Sequence, residues 1–170
     1  MSRKQSLLIA EIPHLRRYAR ALTRDVDAAD DLVQACLERA LSRWHLWQSH
    51  RKLRSWLFAI LHNLHIDTVR HRSARATHLV LADEIDLPSS DPGPDSGLAV
   101  AGLMAAIERL PADQRDAVLM VGVNELSYAE AAEALGIPLG TLMSRLHRGR
   151  GRLRELLNMT GEKPAIRRVK

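Results

Sequence analysis

Apolar residues return every three or four positions along most of this chain, the period of a helix with one buried face. Leu7, Leu8, Ile12, Leu15, Tyr18, Ala19 and Leu22 form the first series. Pro13 falls inside it and either occupies the first turn or kinks the helix. Asp25 and Asp27 open a second element, since acidic groups favour a helix N-terminus; Leu32, Val33, Cys36, Leu37, Ala40 and Leu41 continue it. A third follows the polar run WQSHRK, with Leu53, Trp56, Leu57, Ile60, Leu61 and Leu64 on one stripe. The period then stops. Residues 81–97, LADEIDLPSSDPGPDSG, hold three prolines, two glycines and no basic group, which predicts a linker. Helical spacing resumes over Leu98–Leu110, over Ala112–Val123 with Val118, Leu119, Met120 and Val121 as candidate core, over Ser127–Leu135, and from Gly136 to Leu157. The pattern predicts an all-α protein: two small helical domains joined by a flexible acidic linker.

The last helix carries five arginines: Arg145, Arg148, Arg150, Arg152 and Arg154. At 100° per residue, Leu139, Leu146, Leu153, Leu156 and Leu157 fall within about 60° of Leu142, a stripe that faces a core. Thr141, Ser144, Arg145, Arg148 and Arg152 lie along one flank; His147, Arg150 and Arg154 lie along the other. Upstream, Ser127 and Glu130 have the spacing of a capping box. Ala131, Ala132 and Ala134 allow a close helix approach. Gly136 suits a left-handed helix end, Ile137 can plug the corner, and Pro138 can start the next helix. A short helix, a tight glycine turn and a basic helix predict a helix-turn-helix whose second helix enters the DNA major groove. The competing reading is a helical hairpin with a solvated basic face.

Charge sharpens the division. The net charge is +5, and 25 basic residues against 20 acidic ones suit a polyanionic partner. Residues 1–78 carry +7, residues 79–98 carry −5, and residues 99–170 carry +3. Aromatics are only 4% of the chain, so the core is built from Leu, Ala, Val and Ile, a composition that favours helix. Cys36 is the only cysteine, which excludes an intrachain disulfide and fits a reducing compartment. The N-terminal apolar run is broken by Glu11 and Pro13 and does not read as a signal peptide. No stretch approaches a membrane span, so a cytoplasmic location without membrane insertion is expected. The residues show no phosphate loop, no metal-ligand spacing and no nucleophile with a matching base; no enzyme activity, metal or cofactor is expected. His62 and His65 lack the Cys or carboxylate partners that would complete a metal site.

Three segments in order, DAADDLVQACLERAL (27–41), RSWLFAILHNLHIDTVRHR (54–72) and LPADQRDAVLMVGVNELSYAEAAEALGIPLGTLMSRLHRGRGRLRELL (110–157), resemble extracytoplasmic-function sigma factors. These are two-domain bacterial transcription initiation factors, and the third segment is most similar to their general-stress-response branch. The resemblance implies a first domain over 1–78 that binds core RNA polymerase and the −10 promoter element. It implies an acidic linker over 79–98, a helix-turn-helix domain over 99–160 for the −35 element, and a basic tail over 161–170 that is disordered and solvated. Implied polymerase contacts are Asp30, Asp31, Leu32, Val33 and Gln34, although Leu32 and Val33 also fit a core position with the aspartates capping a helix. Implied −10 contacts are Asn63, which also suits a helix end, and Leu64, His65 and Ile66 in or beside a loop that receives a flipped base. Arg70, His71 and Arg72 would meet phosphates. Implied −35 contacts are Thr141, Ser144, Arg145 and Arg148, with Arg150 and Arg152 on the DNA backbone. An anti-sigma protein is the further expected partner.

Seven of the eight histidines lie in the first block, so its DNA affinity is expected to strengthen as pH falls. Trp56 lies on the apolar stripe and reads as core; Trp44 and Trp47 stay open between core and base stacking. Two other functions compete: a helix-turn-helix repressor that needs no polymerase, and a sigma-like decoy that binds an anti-sigma protein. The repressor leaves the DDLVQ and WLFAILHN segments unexplained. Decoys of that kind carry an attached receiver domain, whereas here the chain ends soon after Leu157.

Overall fold

The computed structural model describes residues 2–47, 52–78, 96–124 and 126–159, without the side chains of 77, 78, 96 and 98. Most of the expected linker and all of the basic tail lie outside the described residues. Seven helices run in order among those described: α1 (Arg3–Thr23), α2 (Val26–Ser42), α3 (Leu53–His78), α4 (Ser96–Glu108), α5 (Ala112–Asn124), α6 (Tyr128–Leu135) and α7 (Leu139–Met159), with one 3-10 turn at Trp44–Leu46. No strand occurs among the described residues.

Local chemistry sets the helix ends. Ser2 caps α1: its Oγ accepts from the Gln5 N–H at 3.3 Å while Gln5 Oε1 accepts from the Ser2 N–H at 2.8 Å. Pro13 lies well inside α1, past the first turn. Arg24 ends α1 in the left-handed region at φ 55°, where its N–H still reaches the Arg20 carbonyl at 2.9 Å. The next residue, Asp25, caps α2 by accepting from the Ala28 N–H at 2.6 Å.

Leu15, Tyr18 and Ala19 of α1 pack with Ala29, Cys36 and Ala40 of α2 and with Leu57, Phe58 and Leu61 of α3; all nine are fully buried. The rings of Tyr18 and Phe58 are 5.3 Å apart and tilted, a favourable aromatic geometry. Small residues on α2 let its neighbours come close. The second block centres on Ala117, Leu119 and Met120 of α5, Ala131 of α6, and Leu142 and Leu146 of α7. Three residues expected on apolar stripes turn outward instead: Leu7, Leu41 and Leu139 are all exposed. Each lies at the margin of its stripe near a helix end, where no neighbouring helix covers it.

The two blocks do not stand apart. Helix α3 lies against α6, and α1 lies against α5, so the apolar core is continuous between them. Blocks this small each bury a limited share of their surface, and pairing them buries more. No helix among the described residues is long and apolar enough to cross a membrane.

Candidate nucleic-acid interface

The turn between α6 and α7 forms as its residues dictate. Ser127 Oγ accepts from the Glu130 N–H at 3.2 Å, and Glu130 Oε2 accepts from the Ser127 N–H at 2.8 Å, closing the capping box. Gly136 leaves α6 at φ 65°, ψ 34°, a conformation that a Cβ would strain. The Gly136 N–H reaches the Glu133 carbonyl at 3.1 Å and the Ile137 N–H reaches the Ala132 carbonyl at 3.0 Å, the paired bonds of a Schellman end. Ile137 is half-buried and packs on the core. Pro138 then offers its carbonyl to the Leu142 N–H at 3.1 Å and starts α7. Leu142, Leu146, Leu153 and Leu157 face inward, and buried Gly149 lets α7 approach Val118 and Gln114 of α5.

This seating presents the opposite side of α7 to solvent. Ser144, Arg148 and Arg152 are exposed; Thr141, Arg145 and Arg150 are half-buried. Arg145 Nε lies 3.6 Å from Asp113 Oδ2 at the start of α5. Arg148 Nε donates to the Ser144 carbonyl at 3.3 Å. Arg150 bends back toward α6, donating to the Tyr128 hydroxyl at 3.1 Å with its guanidinium 5.9 Å from that ring. The first turns of α7 therefore carry Thr141, Ser144, Arg145 and Arg148 together, the part of a recognition helix that meets base edges. Arg150 lies on the other flank.

On α3 the structure corrects the expectation. The helix continues without a break to His78, so Leu64, His65 and Ile66 lie within it rather than in or beside a loop, and Asn63 does not end it. The sequence there contains no glycine or proline to stop a helix. Asn63 is exposed, Leu64, His65 and Ile66 are half-buried, and Arg70, His71 and Arg72 are exposed. These residues do not share one surface. Asn63 and Arg70 are seven apart and lie on one face, while His65 and Arg72, also seven apart, lie on roughly the opposite face. His65 is turned toward the second block: burial holds its pKa below the usual range, nearby Asp116 opposes that, and His62, Arg115 and Arg72 reinforce it.

The α2 edge divides in the same way. Leu32 and Val33 are buried in the core, so the apolar part of the expected polymerase edge points inward. Their place on the α2 stripe, against α1 and α3, is the physical reason. Asp30 pairs with Arg16 at 3.2 Å, Asp31 is exposed, and Gln34 donates to Glu38 at 3.0 Å. Beside this edge a groove of about 450 Å³ runs between α2 and α3, lined by Ala35, Glu38, Arg39, Ser42, Arg43 and Leu64. Trp44 packs on the core, 6.2 Å from Trp56 edge to face and 5.1 Å from Trp47, which places the aromatics in a cluster.

Sequence reasoning missed the polar groups between the blocks. Buried His62 shares a hydrogen bond between Nδ1 and the Tyr18 hydroxyl, 3.2 Å away, and its Nε2 lies 3.7 Å from Asp116 Oδ2. Burial pushes the His62 pKa down to about 4, so at neutral pH the ring is neutral, and its 3.7 Å approach to Asp116 is too long for a hydrogen bond. Burial raises Asp116 in turn. Glu130 accepts from Lys52 Nζ at 2.6 Å, and its backbone carbonyl accepts from Ser55 Oγ at 3.1 Å. Burial alone would raise the Glu130 carboxyl, but the bonds from Lys52 and Ser127 outweigh it and hold the pKa low. Arg24 pairs with Glu108 of α4. The signal was a polar residue on an apolar stripe: His62 is four residues from Phe58, and Ser55 three.

Two family models match the chain, the "Sigma2 domain of PhyR" over residues 8–62 and "Sigma-70, region 4" over residues 101–153. The ECF RNA polymerase sigma factor EcfG of Rhodopseudomonas palustris is 38% identical over 91% of this chain and 84% of its own length. Among solved structures, the sigma factor RpoE of Bartonella quintana, in complex with the anti-sigma factor NepR, is 32% identical with a TM-score of 0.78, covering 91% of this chain and 96% of that one. The PhyRSL–NepR complex from Sphingomonas shares the fold at 19% identity and a TM-score of 0.61, covering 100% of this chain and 98% of that one. With both blocks matched in order and such identity along nearly its whole length, the chain belongs to the ECF family of RNA polymerase sigma factors.

Proposed function

We propose that the chain binds core RNA polymerase as an alternative sigma factor and directs it to promoters, with an anti-sigma protein as its regulator. The observation that carries this reading is the seated helix-turn-helix, which turns the first two turns of α7 outward, in a chain matched over both blocks to sigma factors. In this reading Thr141, Ser144, Arg145 and Arg148 meet the −35 element, and Arg150 and Arg152 hold the backbone. Asn63 and Arg70, which share one face of α3, lead on the −10 element, while Leu64, His65, Ile66 and Arg72 lie on other faces of the same helix and contribute only as the DNA wraps it. Asp30, Asp31 and Gln34 remain as the outward polymerase contacts. The division of labour follows residues 1–78 and 99–160, tethered by 79–98, with 161–170 as a basic tail. The chain acts by binding alone, without covalent chemistry or cofactor, in the cytoplasm where the polymerase works. Neither DNA contact need be tight, because the first raises the effective concentration of the second.

One observation favours a second reading. The model matched by the first block is built on PhyR, and a PhyR fragment bound to NepR shares the fold. A decoy would bind an anti-sigma protein and start no transcripts. Transcription of genomic fragments by purified core polymerase, with and without the chain, separates the two. New start sites that depend on Arg148 and Asn63 are expected; none, with anti-sigma binding intact, would establish the decoy.

A further inference from the structure

Leucine spacing puts Leu139 on the inward stripe of α7, yet its side chain is 46% exposed, and Met143, one turn further on, is 50% exposed. Side chains four residues apart lie one above the other on a helix, so the two form a single apolar ridge. Neither belongs to the apolar core of the described residues, which Leu142 and Leu146 of the same turns already supply. A lone exposed apolar residue is ordinary on a protein surface. This pair stands at the start of a strongly basic helix, on the turns that carry Thr141, Ser144 and Arg145.

At about 100° per residue, Met143 lies between Leu142, which faces the core, and Ser144, which faces outward. Arg148 lies about 40° beyond Ser144, one turn later, with its Nε bonded to the Ser144 carbonyl at 3.3 Å. The outward face therefore has a cationic edge at Arg148, an apolar edge at Met143 and a hydroxyl between them. A guanidinium suits guanine N7 and O6, and an apolar side chain suits the thymine 5-methyl group that projects into the major groove. Arg150 and Arg154 stand on the Met143 side and Arg152 on the other. A duplex supplies phosphates to both flanks, whereas an apolar protein partner would leave those guanidinium groups without counter-charge. Met is unbranched and adaptable, so it can follow a methyl group across the groove floor.

We propose that Met143, backed by Leu139, reads the 5-methyl group of a thymine in the −35 element, so that α7 selects thymine at that position through apolar contact alone. This role rests on the promoter reading above and gives the helix a specificity residue that bears neither charge nor hydrogen bond. Contacts to phosphate carry no sequence information directly, but a methyl contact distinguishes one base from the others. It displaces no counterion, so it leaves the salt dependence of binding unchanged.

The probe is a promoter fragment recovered in the transcription test, with each −35 thymine replaced in turn by deoxyuridine, which pairs alike and lacks only the methyl group. Binding is measured with the full-length chain on core polymerase. Replacement at one or two positions is expected to weaken the wild-type complex about two- to fourfold, up to the weight of one buried methyl group. The slope against salt should stay the same. Met143 is exposed, so its replacement leaves the core intact. Met143→Ala is expected to bind the thymine and deoxyuridine fragments equally, and Met143→Leu to restore the preference. Equal binding of both fragments by the wild type, or a preference that survives in Met143→Ala, would overturn the methyl contact while the promoter reading stands. If Met143→Ala leaves promoter binding whole and abolishes binding of the anti-sigma protein, the ridge belongs to that protein and the methyl contact is refuted. If the wild-type chain starts no transcripts at all, the promoter reading itself has failed, and the methyl contact falls with it.

Discussion

At Gly149 α7 approaches α5 closely, and replacing it with alanine should hurt although alanine is the better helix former. A Cβ built there meets Val118 Cγ2 at 2.9 Å and both the Cβ and carbonyl oxygen of Gln114 at 3.4 Å. Valine is β-branched and stiff at χ1, so its methyl cannot easily swing away. Alanine gains about 0.8–1.0 kcal/mol of helix propensity over glycine. Overpacking a close helix contact costs about 1–3 kcal/mol. The expected net effect of Gly149→Ala is a loss of about 1 kcal/mol. Gly151, two residues along the same helix, has nothing within 4 Å of a built Cβ, so Gly151→Ala should gain up to about 1 kcal/mol. The two variants should differ by about 2 kcal/mol, which is about 4–8 °C in melting temperature for a chain of this size. Paired thermal melts measure it directly. Adding Val118→Ala to Gly149→Ala removes the clashing methyl, and the double variant should be more stable than the two single effects sum to. Gly149→Ala melting at or above Gly151→Ala would refute the close approach, and with it the seating of the basic helix.

Two further outcomes follow from buried groups. His62 has a folded pKa of about 4 against about 6.5 unfolded, so the unfolded chain takes up the proton first as pH falls. Its contribution is full above pH 6.5 and is lost toward pH 4; by pH 5.5 it lowers stability by about 1.4 kcal/mol. His65 acts in the same direction and Asp116, whose pKa is raised, in the other, so the measurement is the difference in pH slope between wild type and His62→Gln; equal slopes would contradict it. Cys36 is buried, its thiol bonded to the Leu57 carbonyl at 3.4 Å and its pKa pushed up to about 12 by burial. Alkylation at pH 8 should therefore be at least about a hundredfold slower in the native chain than in denaturant, and comparable rates would show the α2–α3 core to be open.

What could be read from residue order was local. The capping box at Ser127, the left-handed Gly136 and the Pro138 start are each decided within a few positions, and each forms as expected. The leucine seam of α7 was also legible, apart from Leu139, because spacing fixes an angle around the helix but not how far a neighbour extends along it. The polymerase and −10 assignments were carried by likeness rather than geometry. There the structure redraws the picture: Leu32 and Val33 serve the core, and residues 64–66 stay helical. Least legible was the seam. Ser55 and Glu130 are 75 residues apart, and nothing in either neighbourhood names the other. The pH expectation suffers for the same reason, since His62 and His65 spend their imidazoles on packing and are held below their ordinary titration range.

Glu130 belongs to two structures at once, finishing the start of α6 and receiving Lys52 and Ser55 from across the seam. Hybrid factors made by grafting this second half onto a foreign first half would keep the fold of the graft, because the cap travels with it. They would lose the contacts across the seam unless the recipient supplied a lysine and a hydroxyl at the matching places. Such chimaeras should hold each half intact yet pair them loosely, and two transplanted side chains should restore part of the joint.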